Sequence, residues 1–352
     1  MKILKYFFFI LLIVLIGAAI YFATKDGSFN VSATKTIDAP AAVIYDNVKD
    51  FKNWSAWGPW MDENADMEID YAEKTEGEGA SYSWKSEEMG DGAMKTTKVI
   101  PNKEIEQEIV FNTPLGDSDS DVFWLFEDTE TPGQTQVTWG MKGEHSFMEK
   151  VFMSFQEEDF EITLKQMFEA GLQNLAVAVK EEMEQFSINV DGITNYSGTY
   201  YLYNTTAAKQ SEIGDKMGPM FEQIVSFMET NNLRMAGKPF TIINQIDEGN
   251  ATVIFSAAIP VRERIITPEG SPVVAGYLDN STSVKTTLRG NYDNLPKAYE
   301  KAQEYLEEND LQPNPNANMF EVYVTDPDEV PNPAQWVTEI YMPIVVAQDP
   351  NR

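Results

Sequence analysis

The hydrophobic pattern of the chain begins with an apolar run, Tyr6 to Phe22, that no charged residue interrupts. As a helix with its flanks, a run of this length is just long enough to cross a bilayer. Lys2 and Lys5 precede it, and the positive-inside tendency therefore predicts a cytoplasmic N-terminus, with everything after about Lys25 on the other side of the membrane. We interpret residues 1–27 as a single-pass transmembrane anchor.

A cleaved signal peptide is the alternative interpretation of the same run. Gly17 and Ala19 are small residues and form a weak candidate cleavage site. The apolar run is longer than the core of a usual signal peptide, which favours an uncleaved anchor. Both interpretations predict that the rest of the chain lies outside the cytoplasm, and the anchor predicts a cell-membrane protein with periplasmic soluble domains.

Alternating polar and apolar residues predict a series of strands in the first soluble region, residues 28–187. The strand-like stretches include "ASYSWKS", "SDVFWLFEDT" and "TQVTWGMKG", separated by Gly, Asp or Pro clusters. The period then changes, because apolar residues recur at helical spacing over residues 157–186 and predict an amphipathic helix of about thirty residues. A curved antiparallel sheet covered by one long helix is the economical packing.

The second soluble region, residues 188–352, repeats itself. The segments that begin "FMETNNLRMAG" and "YLEENDLQPNP" both contain a helix end, an Asn-rich stop, a strand, an acidic turn and a second strand that ends in an apolar residue, Pro and a branched residue. The two copies lie about 80 residues apart. Each copy is predicted to be a strand, a helix and a two-strand hairpin, and the two copies together to form a pseudo-symmetric α+β domain.

One strand of the second copy, "WVTEIYMPIV", carries a full carboxylate among apolar residues. Alternation places this residue, Glu339, on the same face as Tyr341. The neighbouring phrase "FEVYV" carries another Glu-x-Tyr pair, Glu321 and Tyr323. If the two strands pair, both carboxylates and both phenol rings can lie on one face, which suits a cation with a flat apolar body. Trp336, which begins the strand, completes the predicted set of ligand-binding residues.

The alternative for this face is a solvated surface on which Glu and Tyr are ordinary exposed strand residues. We favour the solvated interpretation for Glu321. Glu339 lies between Val337 and Tyr341 in the most apolar strand of the region, and for this residue we favour a bound partner.

Charge and composition narrow the classes of partner. The 56 acidic and 26 basic residues leave a formal charge of −30, which repels nucleic acid and makes binding to an anionic lipid surface through a basic patch unfavourable. There is no cysteine and one histidine, His145, which we interpret as a partly exposed loop residue. The usual Cys and His metal sites are thereby excluded, and no metal or other cofactor is predicted.

The first soluble region resembles the superfamily of START lipid-transfer domains and polyketide cyclases, which have a helix-grip fold. The resemblance rests on the order of elements, on the opening "IDAPAAVIYDNVKDFKNWSAW" and on its Trp-x-x-Trp phrase, Trp54 and Trp57. It implies a cavity between sheet and helix that holds an apolar ligand, but no single chemistry. Six of the seven tryptophans lie in this region, and we interpret them mainly as core side chains.

The second soluble region resembles the effector-binding domain of bacterial multidrug-responsive regulators and gyrase-inhibitor-like (GyrI-like) proteins. The phrases that carry the resemblance are "LRGNYDNLPKAYEKAQEYLEENDLQP", "FEVYVTDPDEVP" and "TEIYMPI". It implies that Glu339 lies in a pocket between the two repeats and contacts cationic aromatic ligands, with Tyr323 and Tyr341 as looser aromatic equivalents. No helix-turn-helix precedes the domain, so the resemblance does not imply transcriptional control.

We therefore expect a membrane-anchored, extracytoplasmic protein that binds an apolar or lipophilic cationic small molecule. Two alternatives stay open. In one, the protein is a hydrolase of a small reactive molecule, as some members of the second family are, and Glu339 or Glu321 is a general base on water. In the other, its acidic surface docks a basic protein of the cell envelope.

Overall fold

The computed structural model describes residues 2–60, 67–86, 90–113, 116–156, 159–247 and 249–345. The chain divides into two compact units, Met1–Glu182 and Met183–Arg352. Each unit is built on its own antiparallel sheet. The α+β class, with a helix-grip unit followed by a duplicated unit, is confirmed. The domain limits given above, 1–27, 28–187 and 188–352, stay predictions.

The first unit is a seven-stranded sheet in the order β1-β7-β6-β5-β4-β3-β2. Its strands are β1 (Ser28–Ile37), β2 (Glu68–Tyr71), β3 (Ser81–Lys85), β4 (Asp91–Ile100), β5 (Glu104–Thr113), β6 (Gly116–Asp128) and β7 (Thr135–Glu144). Its helices are α1 (Lys2–Thr24), α2 (Ala41–Lys49), α3 (Phe147–Met153) and α4 (Phe160–Met183). The first and last strands of this unit, β1 and β7, are neighbours, and the remaining strands follow as a simple meander.

Helix α4 is the long helix that covers the sheet. It has 24 residues rather than about thirty, because the helix ends at Met183 and β8 begins four residues later at Ser187. Its apolar stripe is buried, and Phe168 packs on the Trp139 ring of β7 with centroids 4.6 Å apart. Gly171 allows this approach, since a Cβ atom there would lie 2.5 Å from Cζ3 of Trp139.

Helix α1 is apolar, and its residues from Ile3 to Thr24 are exposed except for Phe22, which is partly buried. Residues Ile3–Thr24 have a mean hydropathy of 2.7, and none of this segment is buried against the rest of the protein. By length and composition it is able to cross a membrane, and a signal sequence would have the same properties.

The second unit is an eight-stranded sheet in the order β12-β9-β11-β10-β14-β15-β13-β8. Its strands are β8 (Ser187–Tyr196), β9 (Thr199–Lys209), β10 (Phe240–Asp247), β11 (Thr252–Val261), β12 (Val274–Leu278), β13 (Ser281–Arg289), β14 (Met319–Tyr323) and β15 (Val337–Pro343). Its helices are α5 (Ile213–Thr230) and α6 (Leu295–Glu308).

The strand order is symmetric about the centre of this sheet. From the centre outwards, one half has β10, β11 and β9, and the other has β14, β15 and β13, so each repeat is the predicted strand, helix and hairpin. The two repeats meet where β10 pairs with β14, and there Thr241 lies directly opposite its repeat equivalent, Glu321. The two outermost strands are exchanged, because β8 pairs with β13 and β12 pairs with β9.

Both helices of the second unit pack on the same face of its sheet. Helix α5 contacts β9 and β11, and helix α6 contacts β13, β8 and β15. Ile224 and Met228 of α5 share a core cluster with Ile259 of β11. Ala302 and Leu306 of α6 share a second cluster with Val284 and Met342. We call this side of the sheet the helix face and the other side the aromatic face.

Candidate functional site

A large cavity lies in the first unit. Its volume is about 630 Å³, within the range of ligand pockets that hold small organic molecules. Aromatic and methionine side chains dominate its wall, among them Trp84, Met94 and Trp139 of the sheet, Met167 and Phe168 of α4, and Trp60 from the segment before β2. Some tryptophans therefore line a cavity, although Trp57 and Trp124 are buried core side chains, as expected.

One part of the cavity wall is polar. It contains Ser118, Ser120, His145 and Glu149, and the described lining includes no lysine or arginine. Burial raises the pKa of Glu149, but hydrogen bonds from Ser118 and Ser146 outweigh it and hold the pKa below its usual value. The carboxylate charge of Glu149 therefore suits a neutral or cationic polar group on a ligand better than an anionic one.

His145 lies in the short connection between β7 and α3 and is partly exposed, as expected. It is half-buried, its ring stacks on Phe29 with centroids 4.6 Å apart, and it meets Phe160 edge to face. Burial lowers its pKa, which favours the neutral imidazole. His145 lines the cavity together with these two phenylalanines.

In the second unit, Glu321 lies on the helix face at the centre of the sheet. It is 6% exposed, and its two carboxyl oxygens accept hydrogen bonds from Tyr299 of α6 at 2.6 Å and from Tyr323 at 2.8 Å. Burial raises the pKa of Glu321, and the two tyrosine hydrogen bonds partly offset that effect. The solvated interpretation of Glu321 was wrong, because α6 and the hydroxyl of Tyr323 take the place of water.

Aromatic rings extend this cluster along the helix face. Tyr292 meets the ring of Tyr323 edge to face at 5.5 Å and lies 4.8 Å from the ring of Trp336. Burial raises the pKa of Tyr292 to about 12, with smaller contributions from the carboxylates of Asp326 and Glu321. No described salt bridge involves Glu321, so among the residues the structure describes its carboxyl is held by the two tyrosine hydroxyls alone.

Glu339 lies on the aromatic face, and its partner in the structure is a lysine of the same chain. Its Oε1 is 2.7 Å from Nζ of Lys285 on β13, and its Oε2 accepts a hydrogen bond from the Tyr341 hydroxyl at 2.8 Å. Both charged side chains are about one quarter exposed. The carboxylate that we expected to meet a cationic ligand thus already neutralises a lysine of the same chain.

Aromatic side chains surround this ion pair. Tyr341 stacks on Phe320 with centroids 4.8 Å apart and planes 6° apart, and Tyr196 meets both rings edge to face. Burial first, and then the hydrogen bond and charge of Glu339, raise the pKa of Tyr341. Tyr341 therefore stays a neutral hydrogen-bond donor to Glu339 at physiological pH.

The two Glu-x-Tyr pairs lie on opposite faces of the sheet, and the prediction that they share one face was wrong. Strands β14 and β15 do pair, but in a register that sets Glu321 opposite Ile340 and Val322 opposite Glu339. Directly opposed residues of an antiparallel pair point to the same side. The five predicted residues therefore separate into Glu321, Tyr323 and Trp336 near the helix face, and Glu339 and Tyr341 on the aromatic face.

Sequence reasoning missed the two partners that define these clusters. Tyr299 occupies an ordinary position in an amphipathic helix, and its hydroxyl becomes significant only when α6 is placed over β14. Lys285 lies in the alternating strand "STSVKTTLR", and the alternation could have placed it on one face, but not beside Glu339. The resemblance of the first soluble region implied the cavity itself, but apart from their aromatic content the sequence did not single out the residues that line it.

The two units of the chain have the folds of small-molecule binding domains, and the comparisons with known families agree with this class. Residues 28–180 match the family described as polyketide cyclase / dehydrase and lipid transport. Residues 202–345 match the family described as GyrI-like small molecule binding domain. The chain therefore carries a polyketide cyclase-like domain and a GyrI-like small-molecule binding domain, and both resemblances are confirmed. No curated protein matches the chain.

Solved structures similar to parts of the chain include the C-terminal domain of EcmrR, with 15% identity over 46% of this chain and 99% of that domain and a TM-score of 0.40. Another is EcmrR in a complex with DNA, with 14% identity over 58% of this chain and 78% of that one and a TM-score of 0.40. A third is the Aha1 dimer from Colwellia psychrerythraea, with 20% identity over 43% of this chain and 96% of that one and a TM-score of 0.32.

Proposed function

We propose that this protein is a membrane-anchored, extracytoplasmic binding protein for an apolar or lipophilic cationic small molecule, which it holds in the cavity of the first unit. The observation that carries the proposal is the cavity itself, with a volume of about 630 Å³ and a wall dominated by apolar side chains. A core of aromatic residues without a ligand role would pack to the density of an organic crystal and leave few voids larger than a water molecule.

The polar part of the wall supports the choice of ligand class. Glu149 provides a negative charge there and His145 a neutral hydrogen-bonding ring, whereas the described lining contains no lysine or arginine. A ligand with an apolar body and a neutral or cationic polar group matches this distribution. An anionic amphiphile, such as a fatty acid carboxylate, would meet the charge of Glu149 and would have no lysine or arginine partner in the described lining.

The test is ligand binding to the full-length protein in lipid nanodiscs, since detergent would itself compete for an apolar cavity. Binding is measured by the quenching of tryptophan fluorescence, or by energy transfer from tryptophan to the ligand, because Trp60, Trp84 and Trp139 line the cavity. The panel contains apolar compounds of matched size that are neutral, cationic or anionic. We expect neutral and cationic members to bind and anionic members to bind more weakly.

A cavity-filling variant with a matched control locates the site. Met167 of α4 lines the cavity, and Met167→Trp adds a bulky ring there. Val177 lies on the exposed side of the same helix, so Val177→Trp adds the same ring outside the cavity. We expect Met167→Trp alone to lose binding while both variants keep the unfolding temperature near that of the parent. Equal binding by the two variants would contradict the proposal.

A cation site in the second unit is the second candidate, and Glu321 is the observation that favours it. A buried carboxyl between tyrosine rings can pair with a cation whose flat body contacts those rings. Glu339, in contrast, is already paired with Lys285, so a cation there must displace a lysine.

Thermal shifts with lipophilic cations and their neutral analogues test this candidate in moderate salt, which screens the charge of −30. Loss of the cation-specific shift in Glu321→Gln supports a site on the helix face. Loss in Glu339→Gln supports a site on the aromatic face instead. If both variants respond as the parent does, the cation site in the second unit is rejected.

A further inference from the structure

The short helix α3 exposes an apolar surface that no part of the described chain covers. Phe152 is 56% exposed and Phe155, just after the helix, is 83% exposed. Phe147 and Met148 at the start of α3 are also exposed, as is Ile162 near the start of α4. We call these five side chains the α3 patch. A group of large apolar side chains on one surface of a soluble domain marks a surface that meets a partner or a membrane.

The α3 patch lies next to the end of the apolar helix α1. The two helices are in contact, and Nζ of Lys150 on α3 donates a hydrogen bond to the carbonyl oxygen of Lys25 at 2.9 Å. Two residues after Lys25, the carbonyl oxygen of Gly27 accepts a hydrogen bond from the backbone N–H of His145 at 2.8 Å. These contacts hold α3 within a few residues of the point where α1 ends.

Helix α3 also forms part of the wall of the cavity. Glu149 and Met153, one turn apart, line the cavity, and Phe160 and Leu164 of α4 line it nearby. The same helix therefore has one side toward the cavity and an exposed apolar side. A capping box fixes its start, because Ser146 and Glu149 exchange hydrogen bonds between side chain and backbone.

We propose that the α3 patch lies in the interfacial layer of the bilayer that α1 enters, so that the ligand passes between the membrane and the cavity beside α3. This inference rests on the proposed function and adds the source of the ligand. The attachment of α3 to the end of α1 places the patch at the membrane surface, where exposed phenylalanine, isoleucine and methionine side chains gain by leaving water.

The free energy of this membrane binding comes from apolar contact rather than from charge. The chain has a formal charge of −30, so attraction to anionic lipids is not its basis. Interfacial helices that bind through apolar area do so on zwitterionic lipid as well. Vesicles of phosphatidylcholine alone are therefore the appropriate membrane for the test.

Site-directed fluorescence on the full-length chain tests the proposal, and the absence of native cysteine makes single labels simple. Phe152→Cys and Phe155→Cys each carry an environment-sensitive dye, and the protein is reconstituted in phosphatidylcholine vesicles that contain lipid-attached quenchers. Glu130→Cys is the matched control. It lies in the turn between β6 and β7, and β1 and β7 separate that end of the sheet from Gly27 by about 30 Å.

We expect a blue-shifted emission and quenching by the lipid-attached quencher for Phe152 and Phe155, and neither for Glu130. Water-like emission at all three positions would overturn the proposal. A blue shift without lipid quenching would also overturn it, since it would mean that protein, such as a second copy, covers the patch. Ligand binding to the parent in nanodiscs is measured separately, so membrane docking can fail while the cavity still binds its ligand.

Discussion

Glu321 and Glu339 occupy the same Glu-x-Tyr phrase, yet they have opposite surroundings. Glu321 is covered by α6 and accepts two tyrosine hydrogen bonds, whereas Glu339 is partly exposed and paired with Lys285. Only the strand register separates the two cases, because a shift of one residue transfers every side chain to the other face. The chemistry of each carboxylate therefore depends on the register between β14 and β15, which its local sequence does not determine.

Glu321 should make the stability of the protein depend on pH. Its folded-state pKa is raised above 4.5, so the folded state binds more protons than the unfolded state between those two values. The contribution of Glu321 to stability is present below about pH 4.5 and is lost as the pH rises through the folded-state pKa. We expect Glu321→Gln to gain stability relative to the parent as the pH is raised from 5 to 8.

Denaturant unfolding of both proteins at a series of pH values measures this difference. The scale is about 1.4 kcal/mol for each unit by which the two pKa values differ. Glu300→Gln on the exposed side of α6 removes a carboxyl without touching the cluster and should follow the parent. A constant difference between Glu321→Gln and the parent over this pH range would show that Glu321 is not the titrating group.

The ion pair of Lys285 and Glu339 should be worth more than a typical surface pair. Exposed pairs contribute about 0.2–1 kcal/mol, but this one is about three quarters buried and shares its carboxylate with Tyr341. In a double-mutant cycle of Lys285→Met and Glu339→Gln, we expect the losses of stability in the two single variants to add up to more than the loss in the double variant. The coupling free energy should be about 1–3 kcal/mol by denaturant unfolding. Additive effects would mean that the pair is not stabilising.

At the scale of helices and strands, the sequence carries most of the information. Strand alternation, the change of period before α4 and the internal repeat predict the elements of both units, because each signal is local. The pairing of β14 with β15 was also expected, but its register was not, since register depends on the turn and on contacts across the sheet. The cavity and the partners Tyr299 and Lys285 depend on packing between distant elements, which no local pattern contains.

The approach of α4 to the sheet should depend on Gly171. Alanine has the higher helix propensity, by about 1 kcal/mol, so a change of glycine to alanine normally stabilises a helix. At this position the new Cβ would lie 2.5 Å from Trp139 and 3.1 Å from Pro59, so the helix or the ring must shift. We expect Gly171→Ala to destabilise the protein by about 1–3 kcal/mol, as overpacking does in other cores.

Gly214 provides the control for that change, since it lies in α5 and a Cβ there would meet nothing within 4 Å. Gly214→Ala should leave stability unchanged or raise it slightly. Unfolding midpoints of the two variants in the same denaturant make the comparison. A stabilising Gly171→Ala would show that α4 is free to move away from Trp139 without loss.

At the scale of the whole molecule, the orientation of the chain in the membrane is the main prediction. Lys2 and Lys5 before the apolar run predict that both folded units lie outside the cytoplasm. Glu130→Cys should therefore react with a membrane-impermeant maleimide in cells whose inner membrane is intact. Ile3→Cys, on the other side of the run, should react only after that membrane is opened. The reverse pattern would invert the predicted topology.

The exchanged outer strands of the second unit bear on how the protein is made. Strand β8 has its hydrogen-bonding partner in β13, about 90 residues later in the chain. During synthesis, the edge of β8 therefore stays unpaired until most of its unit has been made. Strand β12 pairs with β9, which precedes it in the chain and is separated from it by the hairpin of β10 and β11. Each repeat pairs with strands of the other, so a truncated chain that ends between the repeats would leave an open strand edge and is expected to aggregate.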